Sequence, residues 1–283
     1  MQMPKPGVNP LIARIRNAYD YRSQWLRVFL YGSTRSGKTT HAASFPRPFL
    51  LGAPNENGVQ SLAGGDVSYF VPGEIDMFAT QKDMEGFLQM IHHDMTVLKV
   101  ADDGGAAFRA KWGDTFIWDS VTHYADAVIN ALTVVRENPK DRSSAPRRDP
   151  ATGAIEHQPS DQQTWGALRS HLTNIRDILF RLPCHVVITA LDAQSSDEKG
   201  NVTWQGPRVQ GAAGDLIPSS CELVGFCDSV GADNFVVYFQ KVGKAEAGTR
   251  LRGMRPQMLR VGTAPGTRLY DQLFPYLPQA QAR

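Results

Sequence analysis

The stretch YGSTRSGKTTHAASFP, residues 31–46, decides the first reading of this chain. Gly32, Gly37, Lys38 and Thr39 satisfy the spacing G-x-x-x-x-G-K-[S/T], the signature of a loop that wraps phosphate groups. The residue types follow from the chemistry. Two glycines let the backbone curl until successive N–H groups point inward, beside the positive N-terminus of a helix. The whole run Gly32, Ser33, Thr34, Arg35, Ser36, Gly37, Lys38, Thr39 and Thr40 is therefore the expected nucleotide cradle. Within it, Lys38 is expected to contact the β- and γ-phosphates of ATP, and Thr39 to ligate Mg2+ through its hydroxyl. The flanks agree. RVFLY (27–31) reads as a strand ahead of the loop, and KTTHAASF (38–45) opens as the helix behind it.

Outward from the loop, short apolar runs alternate with longer helical patterns, which predicts a parallel sheet built from strand–helix–strand units. PFLLG (48–52), VSYFV (67–71), TFIWD (115–119), HVVITA (185–190) and NFVVYFQ (234–240) are the further strand candidates. Several lack period-two alternation, as strands covered on both faces do. Met84, Phe87, Leu88, Ile91 and Met95 recur at helical spacing, as do Val121, Tyr124, Ala125, Val128 and Ile129, and Trp165, Leu168, Leu172, Ile175 and Leu179. These stripes read as core-facing surfaces and none is assigned to a site.

A phosphate loop needs an acidic partner at the end of a buried strand, to hold the metal from the far side of the nucleotide. Asp119, closing TFIWD, is that candidate; it or Ser120 also stands where a helix N-cap belongs. Hydrolysis further needs a group that orients the attacking water. Glu56, in the turn APNENG just beyond the PFLLG strand, is the choice for that catalytic role, with Glu74 and Glu85 as alternatives farther from a strand end. Lys38, Glu56 and Asp119 thus form the expected catalytic set. In HVVITALDAQ, Thr189 and Gln194 follow a strand whose C-terminal end faces the ligand crevice, and they are candidates for sensing the γ-phosphate.

Composition bounds the rest. The 283 residues are 42% hydrophobic and 20% charged, with 13 Phe and 5 Trp, a globular profile. A net charge of +2 gives no general basic surface, so any nucleic-acid site must be local. Cys184, Cys221 and Cys227 are too sparse for a disulfide framework and lack zinc-site spacing. No stretch has the length of a transmembrane helix, and residues 1–24 lack the apolar core of a secretion signal. A cytoplasmic protein with no membrane partner is the expectation. The domain is expected over 25–262, between an N-terminal arm (1–24) and a C-terminal tail (263–283), with flexible loops near 101–114, 136–163 and 192–215.

The order GSTRSGKTT, SFPRPFLL, NENG, FIWDSVT, DQQTWGALRSHL, LPCHVVITAL and GPRVQGAAGDLIPSSCELV resembles the RecA-related P-loop ATPases of bacteriophages, among them phage single-strand annealing and recombination ATPases. The resemblance spans roughly residues 25 to 260. It implies an α/β, three-layer RecA-like P-loop NTPase core with a mainly parallel central sheet, in which the HVVITA strand lies between the phosphate-loop strand and TFIWD. It also implies a Mg2+-dependent, DNA-stimulated ATPase acting in the host cytoplasm as a ring or filament of identical subunits on single-stranded DNA, with a single-strand-binding protein as a companion. ATP would lie between neighbours, with a basic residue reaching across; Lys241 and Lys244 are the candidates from the run that also holds Arg250, Arg252 and Arg255. DNA would be met by two loops, the first carrying Arg142, Arg147 and Arg148 and the second Trp204 and Arg208.

The second loop also holds Asp192, Asp197, Glu198 and Asp215 and is not a basic patch, and no separate DNA-capturing domain is recognisable. These departures favour annealing, loading or an accessory motor role over strand exchange. A nucleotide-switched assembly protein without direct DNA binding is the alternative.

Overall fold

In the computed structural model, residues 25–136 and 162–277 are described, apart from positions 55, 57, 63, 64, 66, 77, 78, 99, 210–212, 230, 232, 233, 252 and 256. Along the chain run β1 (Arg27–Gly32), α1 (Lys38–Ala42), β2 (Pro48–Gly52), α2 (Gly58–Ser61), β3 (Ser68–Phe70), α3 (Thr80–Val97), α4 (Val100–Asp103), α5 (Ala106–Trp112) and β4 (Thr115–Asp119). They are followed by α6 (Val121–Arg136), α7 (Gln162–Phe180), β5 (His185–Ser196), β6 (Val202–Pro207), α8 (Ala213–Ser219), β7 (Leu223–Ser229), β8 (Phe235–Tyr238), β9 (Gly248–Thr249), β10 (Met258–Val261) and α9 (Leu269–Leu273).

The central sheet has the order β10-β8-β7-β1-β5-β4-β2-β3. From β7 to β3 every neighbouring pair is parallel, whereas β8 and β10 close one edge in antiparallel fashion. β5 lies between β1 and β4, the position expected for the HVVITA strand. Alternate side chains of the same strands feed two separate cores. Phe29, Tyr31, Phe116, Trp118, Val186 and Ile188 pack with Leu88, Phe108, Tyr124 and Leu172 from α3, α5, α6 and α7. Val28, Leu30, Ile117 and Val187 pack with Ala42, Leu269 and Leu273 from α1 and α9. Both faces are therefore apolar, the physical reason the strands show no alternation in sequence. Three layers result, and parallel pairing brings the C-terminal ends of β1, β2, β4 and β5 to one edge.

Three expected loops or tails carry structure instead. Residues 101–114 are mostly helical: Gly105, left-handed at φ 83, caps α5, whose Phe108 is buried and whose Trp112 ring stands 5.4 Å from that of Phe49. The glycines that suggested a loop are a helix boundary. In 192–215, β5 continues to Ser196 and pairs with β6 as an antiparallel hairpin. Its turn is set by Asp197, whose carboxylate accepts from the Lys199 and Asn201 N–H groups at 2.9 and 2.8 Å. The tail 263–283 is not all loose: Leu269, Leu273 and Leu277, at helical spacing, are buried in the second core. Strands β7 and β10 lie outside the sequence candidates. Residues 1–24 and most of 136–163 fall outside the described residues. Among the described residues, no helix is long and apolar enough to cross a membrane.

Candidate nucleotide site

Between β1 and α1 the chain makes the loop its glycines require. A Cβ at Gly32 would collide with the Cys227 carbonyl of β7, and Gly37 is left-handed at φ 79. Ser36 is buried within the loop and its N–H donates to the Ser33 carbonyl at 3.3 Å, while Ser33, Thr34, Arg35 and Thr40 are exposed. The Lys38 ammonium donates to the Gly32 and Ser33 carbonyls at 2.9 and 2.7 Å, which holds it across the loop. Burial pulls its pKa below the ordinary lysine value.

Facing the loop is Asp119, buried at the end of β4. Its Oδ2 accepts from the Thr39 hydroxyl at 2.8 Å and its Oδ1 from the Thr189 hydroxyl of β5. Gly58, opening α2, is there because a Cβ would strike Asp119 Oδ2. Burial, and secondarily the charge of Glu56, raise the Asp119 pKa to about 6. The peptide between Asp119 and Ser120 is cis. The helix cap belongs to Ser120: its Oγ accepts from the His123 N–H at 3.4 Å, leaving the Asp119 carboxylate to the loop side.

Glu56 arrives from the turn after β2. Gly52 of β2 is in register with Asp119 of β4, so the turn stands against the start of α6. There Glu56 Oε2 lies 2.8 Å from His123 Nδ1, which is also 2.8 Å from Ser120 Oγ. Burial opposes ionisation of Glu56, but hydrogen bonds from His123 and Ser120 outweigh it and hold the carboxyl below its ordinary pKa. The same Glu56 bond raises the His123 pKa against the effect of burial. Of the alternatives, Glu85 lies away on α3, 3.9 Å from His171, and Glu74 is exposed in a pocket that it lines together with Glu56. His123 was not a sequence candidate; the only trace is its place four residues after Asp119.

Other candidates separate from this cluster. Thr189 is buried against Asp119, whereas Gln194 is exposed on the hairpin opposite Gln205. Trp204 is 38% exposed on β6 and folds over Gly206. Arg208 Nη2 donates to Asp126 Oδ2 at 3.2 Å. Lys241 pairs with Glu246 at 2.6 Å, and Lys244 is exposed in the turn after β8, its carbonyl accepting from the Gln205 N–H at 3.0 Å. Arg142, Arg147 and Arg148 lie outside the described residues.

The donors suit Mg2+. The Thr39 hydroxyl and the Asp119 carboxylate, 2.8 Å apart, are both hard oxygen ligands. Among the described residues no cluster of three or more His, Cys, Asp or Glu forms a cage for a metal. A site with one or two protein oxygens is the kind Mg2+ shares with nucleotide phosphates.

A family model described as an AAA domain (AAA_24) matches residues 24–251. No curated protein matches the sequence. Among solved structures, a KaiC-like protein from the hyperthermophilic archaeon Pyrococcus horikoshii OT3 is 14% identical over 86% of this chain and 87% of its own, with a TM-score of 0.41. A RadB recombinase is 13% identical over 84% of this chain and 87% of its own, with a TM-score of 0.39.

Proposed function

This chain belongs to the AAA domain family; we propose that it binds and hydrolyses ATP with Mg2+, and that it works as an oligomer on single-stranded DNA, in strand annealing or recombination of bacteriophage type. The observation that carries the reading is the gathering of Lys38, Thr39, Asp119 and Glu56, from three separate segments, at one edge of the sheet.

In this reading the loop N–H groups and Lys38 bind the β- and γ-phosphates. Thr39 and Asp119 hold Mg2+, which when bound neutralises charge on the phosphates. Lys38 exchanges its two loop carbonyls for phosphate oxygens, regaining in charge-assisted hydrogen bonds what burial takes from its charged form. Glu56 is kept as a carboxylate by His123 and Ser120, and orients the attacking water by accepting its hydrogen bond. Thr189 fixes the far oxygen of Asp119, so the carboxylate presents one defined edge to the loop. Trp204, exposed on the hairpin, supplies a face on which a base stacks.

A second reading, a nucleotide-switched assembly protein without direct DNA binding, draws on the ion pairs of Arg208 with Asp126 and Lys241 with Glu246, which occupy two of the basic candidates internally. ATP turnover measured with and without single-stranded DNA, at low and moderate salt, separates the two. Stimulation that weakens with salt is expected; turnover indifferent to DNA, with no binding in either condition, leaves the second reading.

A further inference from the structure

Behind Glu56 a line of polar groups leads away from the loop. His123, on the first turn of α6, faces Glu56 and Ser120 on one side. Asp126, on the same helix, holds Arg208 at 3.2 Å. The main chain of Arg208 is fastened at the same place. Its N–H donates to the Leu191 carbonyl at 2.6 Å, and its carbonyl accepts from the Thr122 hydroxyl at 2.7 Å. Thr122 Oγ1 in turn accepts from the Leu191 N–H at 3.0 Å. The base of the β5–β6 hairpin is thus seated on the helix turn that carries His123.

The chemistry of His123 makes this seating consequential. A protonated imidazole has only donors, so Nδ1–H must point to Glu56 or Ser120. The neutral ring is free to carry its proton on Nε2, and Nδ1 then accepts from the Ser120 hydroxyl and releases Glu56. The groups that bear on this choice are Glu56 and Asp126, which favour the charged ring, and Arg208, which opposes it.

We propose that His123 is a positioning residue that holds Glu56 for the attacking water, and that the Arg208–Asp126 pair couples the seating of the hairpin to that hold. The proposal rests on the ATPase reading above and adds a means by which a contact at the hairpin reaches the site of hydrolysis. Arg208 drawn toward another anion takes a positive charge away from His123, and the hold tightens.

The test combines turnover with a direct titration in the full chain. His123→Ala is expected to lower kcat by about 10- to 100-fold, as a misplaced catalytic group does, with KM little changed. His123→Gln keeps a donor without a titration: it is expected to recover part of the turnover and to lose the alkaline decline of the pH profile. Arg208→Ala is expected to move that decline to higher pH and Asp126→Asn to lower pH. The His123 imidazole resonance, followed by NMR without nucleotide, is expected to shift its midpoint in the same two directions. An alkaline decline that survives in His123→Gln overturns the proposal, as does a midpoint that Arg208→Ala and Asp126→Asn leave in place or move the same way. Wild type that fails to bind a fluorescent ATP analogue sinks the ATPase reading and this proposal with it, whereas binding and turnover with an unmoved midpoint sink this proposal alone.

Discussion

Acidification is expected to weaken the fold through His185, at the end of the sheet opposite the loop. Its Nδ1 accepts the Leu26 N–H at 3.1 Å, so the ring must stay neutral on that side to keep the bond. It is buried among the rings of Trp25, Phe45 and Tyr270, at centroid distances of 5.3, 5.8 and 5.5 Å. Burial, then the nearby Arg27 charge, lower its pKa to about 4. Unfolded, the same ring titrates near 6.5. Between those values the unfolded chain binds more protons, so stability rises with pH through the window and is lost as pH falls from about 6.5. The loss between pH 7 and pH 5 comes to about 2 kcal/mol for this one group. Urea unfolding of wild type and His185→Gln at pH 7, 6 and 5 isolates it, because other titrating groups cancel in the difference. Glutamine keeps an acceptor for Leu26 but cannot be protonated. The stability gap between the two proteins should narrow by about 2 kcal/mol on going to pH 5; parallel curves would refute the buried neutral histidine.

Gly58→Ala forces a methyl group against Asp119 Oδ2 and breaks its alignment with Thr39. ATP turnover should fall by about 10- to 100-fold with the protein still folded, and unaltered turnover would remove Asp119 from the metal side. Trp204→Ala should weaken single-strand binding by about 1–3 kcal/mol in a fluorescence anisotropy titration, while ATP affinity stays as it was; equal DNA affinity takes Trp204 out of the interface. Leu273→Ala, in the buried C-terminal helix, should cost about 2–5 kcal/mol in urea unfolding, and a neutral result would contradict the docking of α9 in the core.

The legible parts of this chain are those where one local signal carries the structure. RVFLY, PFLLG, TFIWD and HVVITA stand out because strands buried on both faces are continuous apolar runs ended by turns, and they became β1, β2, β4 and the first half of β5. The phosphate loop is equally local, since its two glycines and lysine act within nine residues. Segments misread as loops were dominated by residues with two uses. Gly104 and Gly105 mark a helix start in DDGGAAFRAKW, and DEKGN is a hairpin turn rather than an unstructured stretch. Strand β7 escaped because Gly225, Cys227 and Asp228 dilute its apolar run; Gly225 is needed where Leu30 and the Val237 and Phe239 side chains crowd in. His123 was invisible for a different reason. Its meaning depends on the register of β2 with β4, which sets the Glu56 turn beside α6, and no pattern within either segment announces that pairing.

The proposed hydrolysis rests on Glu56 acting on the water that attacks a nucleotide held by the loop. Glu56→Gln changes one oxygen for a nitrogen in the grip of His123 and leaves Lys38, Thr39 and Asp119 in place. Binding of ATP and its steady-state hydrolysis, measured on this variant beside wild type in the presence of Mg2+, test the claim most directly. ATP affinity should match wild type while turnover falls by about 100-fold or more; turnover at the wild-type rate would contradict the account.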